Sequence, residues 1–499
     1  MAGLVLALAA LAPAAVPPYR DDAPVVSDPL TEAVLTKLKE AKLGPLTRLG
    51  MIVLDAGTGE EFVDINSGAL MQPASLMKLL TSAAALELVG PEHRFETVVE
   101  AHGKIDEKGA LKGDVVVRGG GDPSLGSRFQ KDRNDVTLLL REWARTMRRA
   151  GLKSVEGGVF GDGRRYTGPS TGLGWDPSEL GEWFSAEVSG LNFNENVIDI
   201  IWKSGDRRGS LASYTLVPET NYVQFGTTVR VAPEGARGTY IRYFRFAGSN
   251  EIRARGRILP RQTIYSFAAI GDPARYTAWI LREAMEREGI SVRRGAFGSD
   301  LIDDDLLTTQ PLVLARQISP PLGEMLPIVN GDSQNLYAEV LLREVAIASG
   351  REPSFRGGAE AIEQWLRANR LQRSGTVIVD GSGLSPSNRM PPRLAASVLL
   401  RMAQSPHAGM YSRSLAQPGN QSLKGRLVGG ENARLLGRVR AKTGYLNGVM
   451  TLAGYLTNHG GKDYVFVIMV NGYDRGRGPA AQAFVDELVL LLHDHETLP

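Results

Sequence analysis

The chain has 499 residues, room for two to three domains of about 150 residues each, and its 43% hydrophobic content is that of a globular protein with a sizeable core. With 57 basic against 55 acidic residues, it lacks the strong global field on which a charge-driven nucleic-acid binder relies. Cysteine is absent, which excludes a disulfide scaffold, a thiolate nucleophile and a cysteine metal site.

In chain order, Met1 to Ala15 is apolar, breaks at Pro17-Pro18 and turns charged at Arg20-Asp21-Asp22. The run is shorter than the roughly 20 residues of a spanning helix. Ala12-Pro13-Ala14 offers small residues for cleavage, so residues 1–22 read as a secretory leader. No Lys or Arg opens it, and a disordered Ala-rich tail is the other reading. Leu30 to Lys42 has helical spacing of apolar residues. Leu49 to Asp55 reads as a strand, Gly57-Thr58-Gly59 as a turn and Glu61 to Ile65 as the returning strand. Ser75 to Val89 carries good helix formers and is stopped by Gly90-Pro91. Leu76, Leu79, Leu80, Ala83 and Leu86 leave that helix apolar nearly all round, which predicts a buried central helix.

From about Val98 to about Ile302 short β-rich runs alternate with glycine clusters such as Gly119-Gly120-Gly121. Asp114 to Arg118, Thr228 to Ala232 and Tyr240 to Phe246 are predicted strands, and Pro273 to Gly289 is the one clear helix. Helical texture returns near Pro311, with helices predicted over Pro321 to Val329, Leu336 to Ser349 and Ala359 to Asn369. Val439 to Gly444, Val449 to Leu456 and Tyr464 to Val470 read as strands, with Asn447-Gly448 a tight-turn signal between the first two. Pro479 to Leu492 closes the chain as an amphipathic helix. Five strands from the two chain ends therefore suit one antiparallel sheet between helices, an α+β architecture with a large insertion.

Ser75 and Lys78 lie three apart at a helix start, so both sit on one helical face. A hydroxyl becomes a nucleophile only when a base takes its proton. Lysine can be that base only when burial or a neighbouring cation lowers its pKa. The helix N-terminus adds a positive dipole end near a developing oxyanion. Alone, a serine before a helix is an ordinary cap. Two further clusters stand beside it: Ser333-Gln334-Asn335 between two helices, and Lys442-Thr443-Gly444 at a strand end. The second lysine offers a cation, the threonine hydroxyl can bind a carboxylate, and the glycine lets a substrate backbone lie close to the strand.

In this order and context the three clusters resemble those of the serine β-lactamases and penicillin-binding proteins. The long gap between the first two resembles one branch, the D-alanyl-D-alanine carboxypeptidase/endopeptidase family, or class C low-molecular-mass penicillin-binding proteins. Gly119 to Leu125, Leu191 to Asn196, Ser333 to Glu339, Asp380 to Ser385 and Lys442 to Leu446 also look like that family. Gln334 stands where Asp is common, Tyr445 where a small hydroxyl residue is common, and Ser422 where Thr is usual. None of these removes a reacting group.

The resemblance implies a penicillin-binding, serine β-lactamase-like transpeptidase domain (23–98 and 303–499) with an antiparallel sheet and a helical subdomain. Two inserted β-rich domains follow, domain II at 99–175 and 262–302 and domain III at 176–261. It implies a serine peptidase cleaving D-Ala-D-Ala, and D-Ala-containing cross-links, of peptidoglycan stem peptides. The implied catalytic set is Ser75, Lys78, Ser333, Asn335 and Lys442; Thr443, Gly444 and Tyr445 bind substrate. β-Lactams are expected to acylate Ser75. No metal, cofactor or nucleic acid is called for. Location is expected to be periplasmic or otherwise extracytoplasmic, with peripheral contact with membrane or wall left open. A β-lactamase-like hydrolase and a non-catalytic wall sensor are the rival readings. Gly168-Pro169-Ser170-Thr171-Gly172 fits a nucleophile elbow, but no helix begins after it. His493-Asp494-His495 lacks a third metal ligand.

Overall fold

A computed structural model of the protein describes residues 29–127, 129, 135–303 and 310–495; the predicted leader lies outside the described residues. Five strands from the two chain ends form one antiparallel sheet, in the order Val439–Leu446, Val449–Thr457, Asp463–Asn471, Arg48–Asp55, Glu61–Ile65. Side chains alternate across a strand, and here each face has its own core. Met51 and Val53 join Phe466, Ile468 and Val470 on one face, under the terminal helices Pro29–Ala41 and Gly478–Asp494. Ile52 and Leu54 join Val465, Val467 and Met469 on the other, under the helices Met77–Leu88, Leu322–Asn330 and Asn335–Ala348. Strands buried on both faces explain the near-continuous apolar run Tyr464 to Val470.

The Met77–Leu88 helix is buried from Met77 to Leu86. Its polar side chains are satisfied inside: the Thr81 hydroxyl donates to the Gly381 carbonyl (2.8 Å) and that of Ser82 to the Lys78 carbonyl (2.6 Å).

The segment between the first two clusters carries its own sheets around one large further core and a small cluster of Val116, Phe160 and Ile302. Glu96–Ile105 pairs with Ala110–Arg118 and with Leu312–Ile318, and Thr263–Ala269 pairs with Val197–Lys203. It holds a second long helix, Leu138–Arg149, which the sequence reading does not contain. Leu140, Trp143, Ala144 and Met147 form its buried stripe, and arginines fill the opposite face. Of the strand expected over Thr228 to Ala232, only Arg230–Val231 pairs. Pro392–Ala403 is also helical although two prolines precede Arg393; proline at the first helical position has no hydrogen bond to lose.

Candidate active site

The three clusters meet where the Met77–Leu88 helix, the turn before the Asn335–Ala348 helix and the edge strand Val439–Leu446 converge. Ser75 sits in the single turn Ala74–Leu76 that leads into its helix and is partly open to solvent. Ala74 before it has a left-handed φ of 47°, an uncommon conformation for a residue with a Cβ. Gly383 presses against it: a Cβ there would lie 1.8 Å from the Ala74 carbonyl oxygen, and Gly383 itself has a φ of 81°.

Lys78 is fully buried. Its Nζ is 2.9 Å from Ser75 Oγ, 2.7 Å from Asn335 Oδ1 and 2.8 Å from the Ser382 carbonyl oxygen. Two of these partners only accept, so they hold two N–H bonds in either charge state. The third is a hydroxyl, and a neutral lysine can turn its lone pair toward that proton. Burial lowers the Lys78 pKa to about 7, against an upward pull from Glu339 and Asp380.

Lys442 is also fully buried, and donates to Ser333 Oγ (2.7 Å) and the Thr443 carbonyl (2.8 Å). Its pKa falls well below the usual lysine value, first through burial and then through repulsion by Lys78. Lys442 was expected to help depress Lys78. Desolvation is instead the leading cause for each lysine, and the repulsion between them disfavours the state in which both are charged.

Ser333 adopts a left-handed φ of 65° in the turn between Leu322–Asn330 and Asn335–Ala348. Asn335 opens the second helix; its Nδ2 donates to the Phe184 carbonyl at 2.7 Å, so the inserted segment reaches the site. The Gln334 side chain turns away, donating to the Glu195 carboxylate, which is why a residue other than Asp is accommodated there. Gly444 pairs with Thr451, and a Cβ on it would lie 2.2 Å from Thr451 Oγ1 and 3.0 Å from the Ser75 backbone nitrogen. Thr451 Oγ1 in turn donates to the Pro73 carbonyl (3.1 Å), tying the strands to the serine turn. Thr443 is half-buried and Tyr445, 65% exposed, stands at the rim.

Four groups at the site were not assigned a role from sequence: the carbonyls of Phe184 and Ser382, and the buried carboxylates of Glu339 and Asp380. A carbonyl leaves no sequence signal. Glu339 does leave one, as a charged residue one turn beyond Asn335 on a mostly apolar helix. The decoys stay apart: Ser170 Oγ binds Glu187, and His493 binds its neighbour Asp494.

Comparison with known proteins agrees with this arrangement. A model of the D-Ala-D-Ala carboxypeptidase 3 (S13) family matches residues 31–491. A D-alanyl-D-alanine carboxypeptidase of Actinomadura sp. (strain R39) is 28% identical over 460 residues, covering 89% of this chain and 81% of its own. The crystal structure of penicillin-binding protein 4 (dacB) from Haemophilus influenzae superposes with a TM-score of 0.76 at 25% identity, covering 93% of this chain and 99% of its own. A second structure of that protein, complexed with a β-lactam, gives 0.71 at 24% identity, with the same coverage of 93% and 99%.

Proposed function

The chain belongs to the D-Ala-D-Ala carboxypeptidase 3 (S13) family, and from that footing we propose that it is a serine peptidase whose acyl-enzyme forms on Ser75, with Lys78 as base. The carrying observation is the set of three contacts around Lys78 Nζ: two acceptors take N–H bonds, which leaves the lone pair of a neutral amine to face Ser75 Oγ–H. The substrate is a peptidoglycan stem peptide ending in D-Ala-D-Ala. Ser75 Oγ attacks the penultimate D-Ala carbonyl carbon while its proton passes to Lys78 Nζ. The C–N bond to the last D-Ala then breaks, and the leaving amine takes a proton through Ser333, which Lys442 holds in place.

Asn335 has one N–H on the Phe184 carbonyl, and its other N–H is assigned to the substrate amide. Thr443 takes the terminal carboxylate. The backbone N–H groups of Ser75 and Tyr445 form the oxyanion hole; the close approach of Gly444 to the Ser75 nitrogen supports that pairing. Water then attacks the ester carbon and frees Ser75. The acylation step does not depend on what lies beyond the leaving amine, so a D-Ala-containing cross-link suits the same chemistry. A β-lactam acylates Ser75 in the same way, a reading supported by the β-lactam complex of the H. influenzae protein.

The work is extracytoplasmic, after export by the leader at 1–22. Among the described residues no helix is long and apolar enough to cross a membrane. The cores support a catalytic unit of 23–98 and 303–499 distinct from the inserted segment, within which domain II (99–175 and 262–302) and domain III (176–261) share one large core. Fluorescent penicillin labelling with peptide mapping, run beside hydrolysis of a D-Ala-D-Ala peptide, tests the assignment. Label on Ser75, lost in Ser75→Ala, with peptide turnover, is the expected result. Label elsewhere sinks it; rapid penicillin hydrolysis identifies a β-lactamase, and neither activity a sensor.

A further inference from the structure

Behind Lys78 lies a buried polar network that the acyl-transfer scheme does not use. Glu339 and Asp380 are both fully buried. Glu339 accepts from two successive backbone N–H groups, those of Gly381 (2.9 Å) and Ser382 (2.8 Å). Asp380 accepts from the backbone N–H of Gly383 (2.8 Å) and Ser385 (2.6 Å), from Asn388 Nδ2 (2.8 Å) and from the Trp175 indole N–H (2.9 Å). Six donors thus converge on two carboxylates, and they fix the backbone from Asp380 to Ser385 in one conformation. The same segment supplies the Ser382 carbonyl to Lys78 and presses Gly383 against the turn that carries Ser75. The Thr81 hydroxyl anchors it from the nucleophile's own helix, through the Gly381 carbonyl.

Both oxygens of each carboxylate accept, which a neutral amide with its single accepting oxygen cannot match, so the clamp takes carboxylates, whose charge is costly to bury unless something offsets it. Here they face a buried amine. The charged groups around Lys78 are Glu339 from the Asn335–Ala348 helix, Asp380 from the loop and Lys442 from the edge strand, with Arg343 behind Glu339. Burial and Asp380 both push Glu339 upward, to about 7, which places its charge change beside that of Lys78.

We infer that Glu339 and Asp380 are positioning residues for acylation: through the Ser382 carbonyl they hold Lys78 against Ser75, and their charge sets how readily that amine gives up and takes back a proton. The inference rests on the acyl-enzyme reading above. Without the pair, burial alone would leave Lys78 too weak a base to draw the serine proton efficiently. With the pair, its basicity lies near neutrality, where a base is both free and strong enough to act.

The test is the pH profile of the second-order rate of penicillin acylation, measured on the full chain for wild type, Glu339→Gln and Asp380→Asn. Melting curves first establish that each variant folds. Acylation needs neutral Lys78, so the rate rises with pH through the Lys78 pKa. Removing a nearby negative charge lowers that pKa. The rising limb should therefore move to lower pH, by about one unit, the size of shift that an opposite charge a few ångströms away produces. The plateau rate should fall at least tenfold, because the remaining base is weaker. A folded variant whose limb stays in place or moves to higher pH overturns the inference, whatever its plateau. Failure of both variants to fold also overturns it, in favour of a purely structural role. If wild-type label does not land on Ser75, the acyl-enzyme reading fails instead, so the two failures are distinguishable.

Discussion

The two walls of the candidate cleft are built in different ways. The wall formed by Lys442 to Tyr445 belongs to a strand paired residue by residue with Val449–Thr457, and its position follows from the register of the whole sheet. The facing wall comes from the inserted segment and rests on individual contacts: Phe184 carbonyl to Asn335, Trp175 to Asp380, Glu195 to Gln334. A register is cooperative, since one slip turns every side chain to the other face. Separate polar contacts can be lost one at a time. Damage on the sheet wall should therefore strike the chemistry directly, whereas damage on the inserted wall should be graded.

Lys442→Ala should have the largest effect. It removes the partner of Ser333 and with it the proton path to the leaving amine, and acylation should fall by about 10²–10⁴-fold, the usual worth of a positioned acid–base group. The wild-type acid limb should lie near pH 7, where Lys78 sheds its proton. Any rise of that limb in Lys442→Ala should be small beside the rate loss, because desolvation leads in lowering Lys78. An acid limb displaced upward by several units would show that repulsion, not burial, governs the amine. Gly444→Val comes next. Its side chain would meet Thr451 and the Ser75 nitrogen, so acylation should drop about 100-fold and the melting temperature should fall with it. Normal labelling kinetics in this variant would mean that the strand does not lie along the serine turn as described.

On the inserted wall, Trp175→Phe deletes one donor to Asp380 and leaves a buried carboxylate short of a partner. The expected cost is about 1–3 kcal/mol of stability, read from denaturant unfolding, with roughly a tenfold slower acylation. Unchanged stability would show that the indole contact carries no weight.

The same contrast explains what the sequence disclosed. The sheet at the chain ends is legible because short β-prone runs bounded by turn residues mark its strands, the central ones apolar almost throughout. The three clusters are legible because each reacting group is a distinctive residue type at fixed spacing. The inserted wall is not, because its contact with Asn335 is made by the Phe184 carbonyl, a group that every residue carries. The Leu138–Arg149 helix is missed for another reason: its arginine-rich face masks a stripe of four buried residues. Asn335, Glu339 and Arg343 recur every fourth residue on a mostly apolar helix, which also carries Glu344, and all four are buried. That pattern would have exposed the network behind Lys78, since unpaired charges do not persist in a core.

The smallest expected effect falls on the residue by which this chain departs from the usual second cluster. The Gln334 side chain points away from Ser75 and Lys78, toward Glu195 on the inserted segment, while its carbonyl oxygen caps the helix by accepting from the Leu336 N–H at 3.3 Å. Gln334→Ala therefore loses a cap and one inter-segment contact, a stability cost of about 1 kcal/mol, and touches no reacting atom. Acylation should change no more than about threefold. Gln334→Asp should keep the cap, but it places a second carboxylate beside Glu195 at a buried position, so any loss should exceed that of the alanine variant. If instead Gln334→Ala slows acylation as much as Lys442→Ala does, the side chain acts in the cleft. The inserted wall would then belong to the chemistry as directly as the sheet wall does.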